Sequence, residues 1–136
     1  MKDTMTILFL AALAGCQAPP PDISKATGRY PFDLHTTNSV SIQVIRDQEY
    51  IKIVNSTAND FTESMLWVNQ QYTQSLPPMP AGSTISVNLW NCYDSLGDQF
   101  NAGGFWRTDE PTSLVIAELQ QGESQPLVGL LVIGEE

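Results

Sequence analysis

Apolar residues in this sequence alternate with polar ones, and beyond residue 16 no stretch keeps helical spacing over ten residues. A period of two is the signature of a strand with one buried face. Val40, Ile42 and Val44 alternate with Ser41, Gln43 and Ile45. The polar turn Arg46-Asp47-Gln48-Glu49 follows, and then Ile51 and Ile53 alternate with Tyr50, Lys52 and Val54. That predicts a hairpin or two neighbouring strands. A strand over 61–69 puts Leu66 and Val68 on one face and Met65 and Trp67 on the other. The Asn69-Gln70-Gln71 bend leads to a short strand over 72–76. Residues 84–90 alternate most cleanly, with Ile85, Val87 and Leu89 toward the core and Trp90 with them. Strands over 112–119 and 127–133 close the chain, joined by a loop around Gly122. Turns fall at Pro77 to Gly82, at Asp94 to Asp98 around Gly97, and at Gly103-Gly104. Seven or eight short strands at even spacing predict an all-β fold, a single antiparallel β-sandwich, with a small barrel as the rival. The last strand is apolar on both faces, which predicts a central or covered position rather than an open edge.

The N-terminus has a different grammar. Lys2 precedes an apolar run of eight, Ile7 to Ala14, and then Cys16-Gln17-Ala18-Pro19-Pro20-Pro21. The run is far shorter than the ~20 residues of a membrane span and matches the apolar region of a signal peptide. A short buried helix is the alternative, but the run has no polar face, and the prolines would stop it. Leu13-Ala14-Gly15-Cys16 resembles a bacterial lipobox. The resemblance implies that Cys16 carries a diacylglycerol by thioether and becomes the first residue of the mature chain. Ordinary cleavage with Cys16 unmodified is the other reading. Gln17 in place of Asp implies, by the same resemblance, outer-membrane sorting in a cell with two membranes. The expected organisation is a signal peptide over 1–15, a lipidated Pro-rich tether over 16–37 and a β domain over 38–136. Consecutive prolines favour an extended tether of ~3.1 Å per residue. Tyr30, Phe32 and Leu34 alternate within it, and Pro31 would confine them to an edge strand.

Charge narrows the partners. Six basic residues stand against 15 acidic ones, a net charge of −9, and the leader removes one of each sign. Nucleic acid is excluded as a partner because phosphate binding rests on clustered Lys and Arg. Peripheral binding to anionic lipid through a basic patch is excluded for the same reason. The expected partners are the membrane, through the lipid, and an envelope protein or glycan. With Cys16 acylated, Cys92 has no partner for a disulfide, so it is either a buried small hydrophobe or a reactive thiol.

The run IVNSTANDFTESMLWVNQQY, then LPPMPAGSTISVNL, then YDSLGDQF resembles a bacterial immunoglobulin-like or fibronectin-type-III-like envelope module. The likeness covers about Val40 to Leu119. It implies an extracytoplasmic sandwich with no catalytic residues and no cofactor. The chain departs from the pattern at Cys92, where an aromatic is expected.

Chemistry is sparse. The one histidine, His35, falls in or beside the tether, so a Ser-His-Asp or Cys-His site would have to recruit it across the domain, and the usual zinc ligand sets are missing. Carboxylate pairs for glycosidase chemistry would be Asp94 with Asp98 or Asp109 with Glu110, in turns. Calcium is the other use of Asp94 and Asp98, though their spacing is not that of an EF-hand. No metal is expected. Trp67, Trp90, Phe105 and Trp106 are the candidate surface, a platform for a sugar ring or a partner protein. The alternative is that they lie under loops, or under the segment around Tyr30 and Phe32.

Overall fold

The computed structural model describes residues 20–105 and 109–134. The lipobox residues Leu13, Ala14, Gly15 and Cys16, and also Trp106, lie outside the described residues. Seven strands form among the described residues: β1 Ser39–Asp47, β2 Tyr50–Asn55, β3 Ser64–Val68, β4 Tyr72–Leu76, β5 Thr84–Asn88, β6 Ala117–Gln120 and β7 Val128–Ile133. The fold is all-β. The strands make one continuous sheet in the order β4-β3-β6-β7-β1-β2-β5.

The sheet is mixed rather than purely antiparallel, which departs from the expectation. β1 runs parallel to β7, with Val44 opposite Val132 and Ile45 opposite Ile133, and every other pair is antiparallel. Alternation has the same period in both arrangements, so period alone cannot separate them. β7 is central, between β6 and β1. The sheet curls until its two edges approach: Thr73 of β4 bridges Tyr93, and Gln74 Nε2 donates to the carbonyl of Asn88 in β5 at 3.0 Å. A curl of this kind shields edge strands that would otherwise present unpaired backbone.

The concave face holds the core. Ile42, Val44, Ile51, Ile53, Leu66, Val68, Leu89, Phe100 and Leu119 are fully buried there. The β1–β2 hairpin turns at Gln48, which adopts φ +57, and keeps Ile42 and Val44 on the same face as Ile51 and Ile53. Met79 and Phe61 bridge to each other and seal one end. Cys92 packs into this core, accepts a contact from Gln74 Nε2, and has its thiol pKa pushed up by burial to about 11. It behaves as a buried hydrophobe, not as an accessible thiolate.

β6 is shorter than expected. Residues 113–116 do not join the ladder because one side chain occupies them: Asn69 Nδ2 donates to Ser113 O, and Asn69 Oδ1 accepts from the amides of Val115 and Ile116. Asn69 itself sits at φ +52 in the β3–β4 turn, a conformation asparagine tolerates.

Asn55, at the end of β2, is fully buried and is the hub of a second such network. Its Nδ2 is shared among the carbonyls of Asn59, Met79 and Pro80, and its Oδ1 accepts from the amide and hydroxyl of Thr57. Asn55→Ala should therefore cost about 1–3 kcal/mol in urea unfolding, because buried carbonyls lose their donor. Asn55→Asp should cost more, because it faces the same carbonyls with a carboxylate. Equal stability of the three proteins would contradict this.

Candidate functional site

The convex face of β3, β6 and β7 carries a second, small core. Trp67 on β3 lies opposite Glu118 on β6, and Leu127 leads into β7. Tyr30 covers them: its ring stands edge-on to Trp67 at 5.5 Å, and Tyr30, Trp67 and Leu127 are all buried, with Leu34 packed alongside. Phe32 packs edge-on against Tyr30 from outside and stays exposed.

Residues 22–37, expected as part of a tether, and Asn38 after them therefore run along the domain as a strap. Backbone bonds fix it toward both ends. The Asp22 amide donates to Gly97 O and the Thr27 amide to Asp94 O. The Leu127 amide donates to Leu34 O and the Gly129 amide to Asn38 O. The strap makes single turns of 3-10 helix at Ile23–Lys25 and Phe32–Leu34 rather than an edge strand. Asp22 caps the first turn through Ser24.

Under the strap lies Glu118, at 1% exposure. The Tyr30 hydroxyl donates to both carboxylate oxygens at 2.8 Å, and His35 Nδ1 meets Oε2 at 2.8 Å. With Nδ1 carrying the proton, His35 donates to the carboxylate, the tautomer that the contact selects. Gln70 Nε2 reaches the Tyr30 oxygen at 3.4 Å. Burial first, then the hydrogen bond and charge of Glu118, push the Tyr30 phenol well above its ordinary 10.0. His35 is thus ordered, and its carboxylate partner stands 83 residues away in sequence. A carboxylate on Nδ1 orients an imidazole, as in acyl-transfer triads. Here the same contact holds the strap to β6.

The strap also completes a cleft. Near its N-terminal end, a cavity of about 390 Å³ is lined by Tyr72, Trp90 and Tyr93 and by Asp22, Asp98 and Asp109, with Pro20 on its rim. Trp90 sits there because β5 ends in a single turn of 3-10 helix, Leu89–Asn91, capped by Asn88 Oδ1 on the Trp90 amide. The turn after it is organised by Asp94, which is buried. Burial alone would raise its carboxyl. Hydrogen bonds from Gln71 Nε2 and from the amides of Asp98 and Leu96 hold it below the usual range. Asp94 is thereby committed to the turn, and among the described residues no cluster of three His, Cys, Asp or Glu could hold a metal.

The candidate aromatics separate. Trp67 is buried under Tyr30 and donates Nε1–H to Gln120 Oε1, so it is no platform. Trp90 lines the cleft, half-buried, and Phe105 is 88% exposed in the neighbouring loop. Asp109 lines the cleft, while Glu110 is exposed and uses its carbonyl to accept from Asn101. Tyr30, Glu118, Tyr72 and Tyr93 were not among the sequence candidates. Glu118 alone left a signal, a charged residue inside the apolar run Ile116 to Leu119. No protein-family model, curated protein or solved structure matches the chain.

Two predictions follow from the strap. The Tyr30 phenol is raised in the folded state, so stability is fully present below about pH 10 and falls as pH rises above it, where the unfolded chain releases the proton first. Tyr30→Phe should be less stable than wild type at pH 9 by about 1–3 kcal/mol. It should also lose less stability between pH 9 and pH 10.5, leaving mainly the fall from Tyr72, which is raised by burial and then by Asp94 and Asp98. Parallel pH profiles would contradict the assignment.

Gly97 has φ +83, and a Cβ there would lie 2.1 Å from the carbonyl oxygen of Asp22. Gly97→Ala should lift the strap, and trypsin should then cut after Lys25 at least tenfold faster (an order-of-magnitude expectation for local opening). An unchanged cleavage rate would show that the strap does not depend on that approach.

Proposed function

We propose that this chain is a lipid-anchored, non-enzymatic β module of the cell envelope that works by binding, and that the cleft between strap and sheet is its binding site. The observation that carries the reading is the cleft itself: three aromatic side chains and three carboxylates gathered from the strap, β4, the turn after β5 and the 101–109 loop. Concave sites of this size, with aromatic walls and a few fixed polar groups, are the usual form of a ligand site.

The finer reading of the fold is an immunoglobulin-like sandwich. What supports it is the pairing scheme. β1, β2 and β5 correspond to one sheet of such a sandwich and β4, β3, β6 and β7 to the other. On this reading β1 belongs to both, antiparallel to β2 and parallel to β7, and so joins the two sheets into one curled surface.

The anchor reading rests on the Leu13-Ala14-Gly15-Cys16 motif. Three residues separate Cys16 from Pro20 on the rim of the cleft, four steps along the chain and a reach of at most ~14 Å. A lipidated Cys16 would therefore hold the cleft close to the bilayer surface. The second reading, a carbohydrate-binding envelope domain, is favoured by Trp90 and Tyr93 beside Gln99 and Asn101 in the same cleft. In it, a sugar ring stacks on the aromatic walls.

Cell fractionation tests the anchor. The wild-type protein should be found in the membrane fraction, with an intact mass that begins at Cys16 and includes acyl chains. Cys16→Ser should move to the aqueous fraction. Equal partition of the two, with the leader still attached, would contradict the proposal.

A further inference from the structure

Resting on the binding reading of the cleft, we propose that it takes an organic cation, an alkylammonium or guanidinium group seated against Tyr72, Trp90 and Tyr93 and faced by Asp22, Asp98 and Asp109.

Among the described residues, every charged group that lines the cleft is a carboxylate. Carboxylates only accept hydrogen bonds when ionised. The amides that could have supplied donors are already engaged. Gln99 Nε2 donates to Trp90 O and to the Tyr93 hydroxyl, and Asn101 Nδ2 donates to Glu110 O. An ammonium or guanidinium group brings both hydrogen-bond donors and positive charge to such a wall, whereas a sugar brings no charge to offset the carboxylates.

The electrostatics point the same way. Hydrogen bonds from the Ser24 hydroxyl and amide hold the Asp22 carboxyl below its ordinary range, so it is an anion at neutral pH. Lys25 on the strap partly offsets that charge. The Tyr72 hydroxyl resists ionisation, first through burial and then through the fields of Asp94 and Asp98. The negative potential therefore reaches the aromatic wall. Aromatic faces attract cations through their quadrupole, and ring and carboxylate act in the same direction on a positive ligand. The net charge of −9 draws cations to the domain as a whole.

The strap supplies Asp22, and Pro20 just before it completes the rim, so the site is complete only while the strap is docked. The ligand chemistry is an alkyl cation. Its source is the ammonium headgroup of a lipid, which an anchor at Cys16 would bring within reach.

The test is a titration of the full chain in detergent at 10 mM salt, followed by amide and indole nitrogen–proton NMR shifts. The probes are tetramethylammonium, its neutral isostere 3,3-dimethylbutan-1-ol, N-acetyl-lysine methylamide, glycerophosphoethanolamine and N-acetylglucosamine. The cations should shift the Trp90 indole and Gln99 amide saturably, and the neutral isostere should bind about tenfold more weakly. The isosteric double variant Asp98→Asn/Asp109→Asn, chosen because it preserves shape and fold, should weaken the cations about tenfold and leave the isostere unchanged. Raising the salt to 150 mM should weaken the cations alone. Glycerophosphoethanolamine should bind more tightly than N-acetyl-lysine methylamide, and the reverse order would reject the lipid headgroup in favour of a peptide side chain. An isostere that binds as tightly as tetramethylammonium, or cation affinity unchanged in the double variant, overturns the proposal. N-acetylglucosamine shifting Trp90 while no cation does would keep the cleft as a binding site and reject the cation. No shift from any probe would reject both.

Discussion

A carboxylate taken out of water must be given partners by the protein, and Glu118 is that group here. Burying an unpaired ion costs several kcal/mol. β6 places Glu118 on the convex face, beside Trp67, where no strand among the described residues covers it. The Tyr30 hydroxyl and His35 Nδ1 supply the hydrogen bonds, and both come from the strap. The dependence is mutual. The strap has no apolar face of its own beyond Tyr30 and Leu34, and the sheet cannot keep Glu118, Trp67 and Leu127 dry without it. The region before β1 is therefore part of the folded domain from Asp22 onward.

The β3–β4 turn ties this face to the rest of the molecule. Asn69 holds the 113–116 segment, Gln70 reaches the Tyr30 hydroxyl, and Gln71 binds Asp94. Three successive amides thus connect the strap, the turn beneath the cleft and the approach to β6. Tyr72, the next residue, lines the cleft. The cleft is built where these connections converge, so disturbance of the strap should be felt there. On the proposed binding reading, that coupling gives the strap a part in function as well as in stability.

Strand positions were legible because burial imposes a period of two. The core set Ile42, Val44, Ile51, Ile53 and Leu66 lies where alternation placed it, and β4 spans 72–76 as expected. Strand direction was not legible, and β1 lies parallel to β7 with the same alternation it would show in an antiparallel pair. The early part of the 112–119 strand was lost to a side chain, Asn69, whose contacts lie 44 to 47 residues away. The strap was invisible for a related reason. It has no periodicity, and backbone bonds plus one distant carboxylate hold it. Alternation correctly put Trp67 on the face opposite Leu66, and Tyr30 then buried it. Trp90 reached the cleft through a turn of 3-10 helix that strand alternation does not anticipate.

If the strap is part of the domain, its amides must be as hard to open as the sheet beside them. Native-state amide exchange at Thr27, Leu127 and Gly129 measures this directly, because each donates across the strap–domain boundary. Protection at Thr27 should lie within about tenfold of that in β7, with Leu127 and Gly129 protected together with it. Exchange at Thr27 at the rate of an unstructured peptide, with β7 still protected, would show a loose tether. It would contradict the claim that Glu118 and the strap depend on each other.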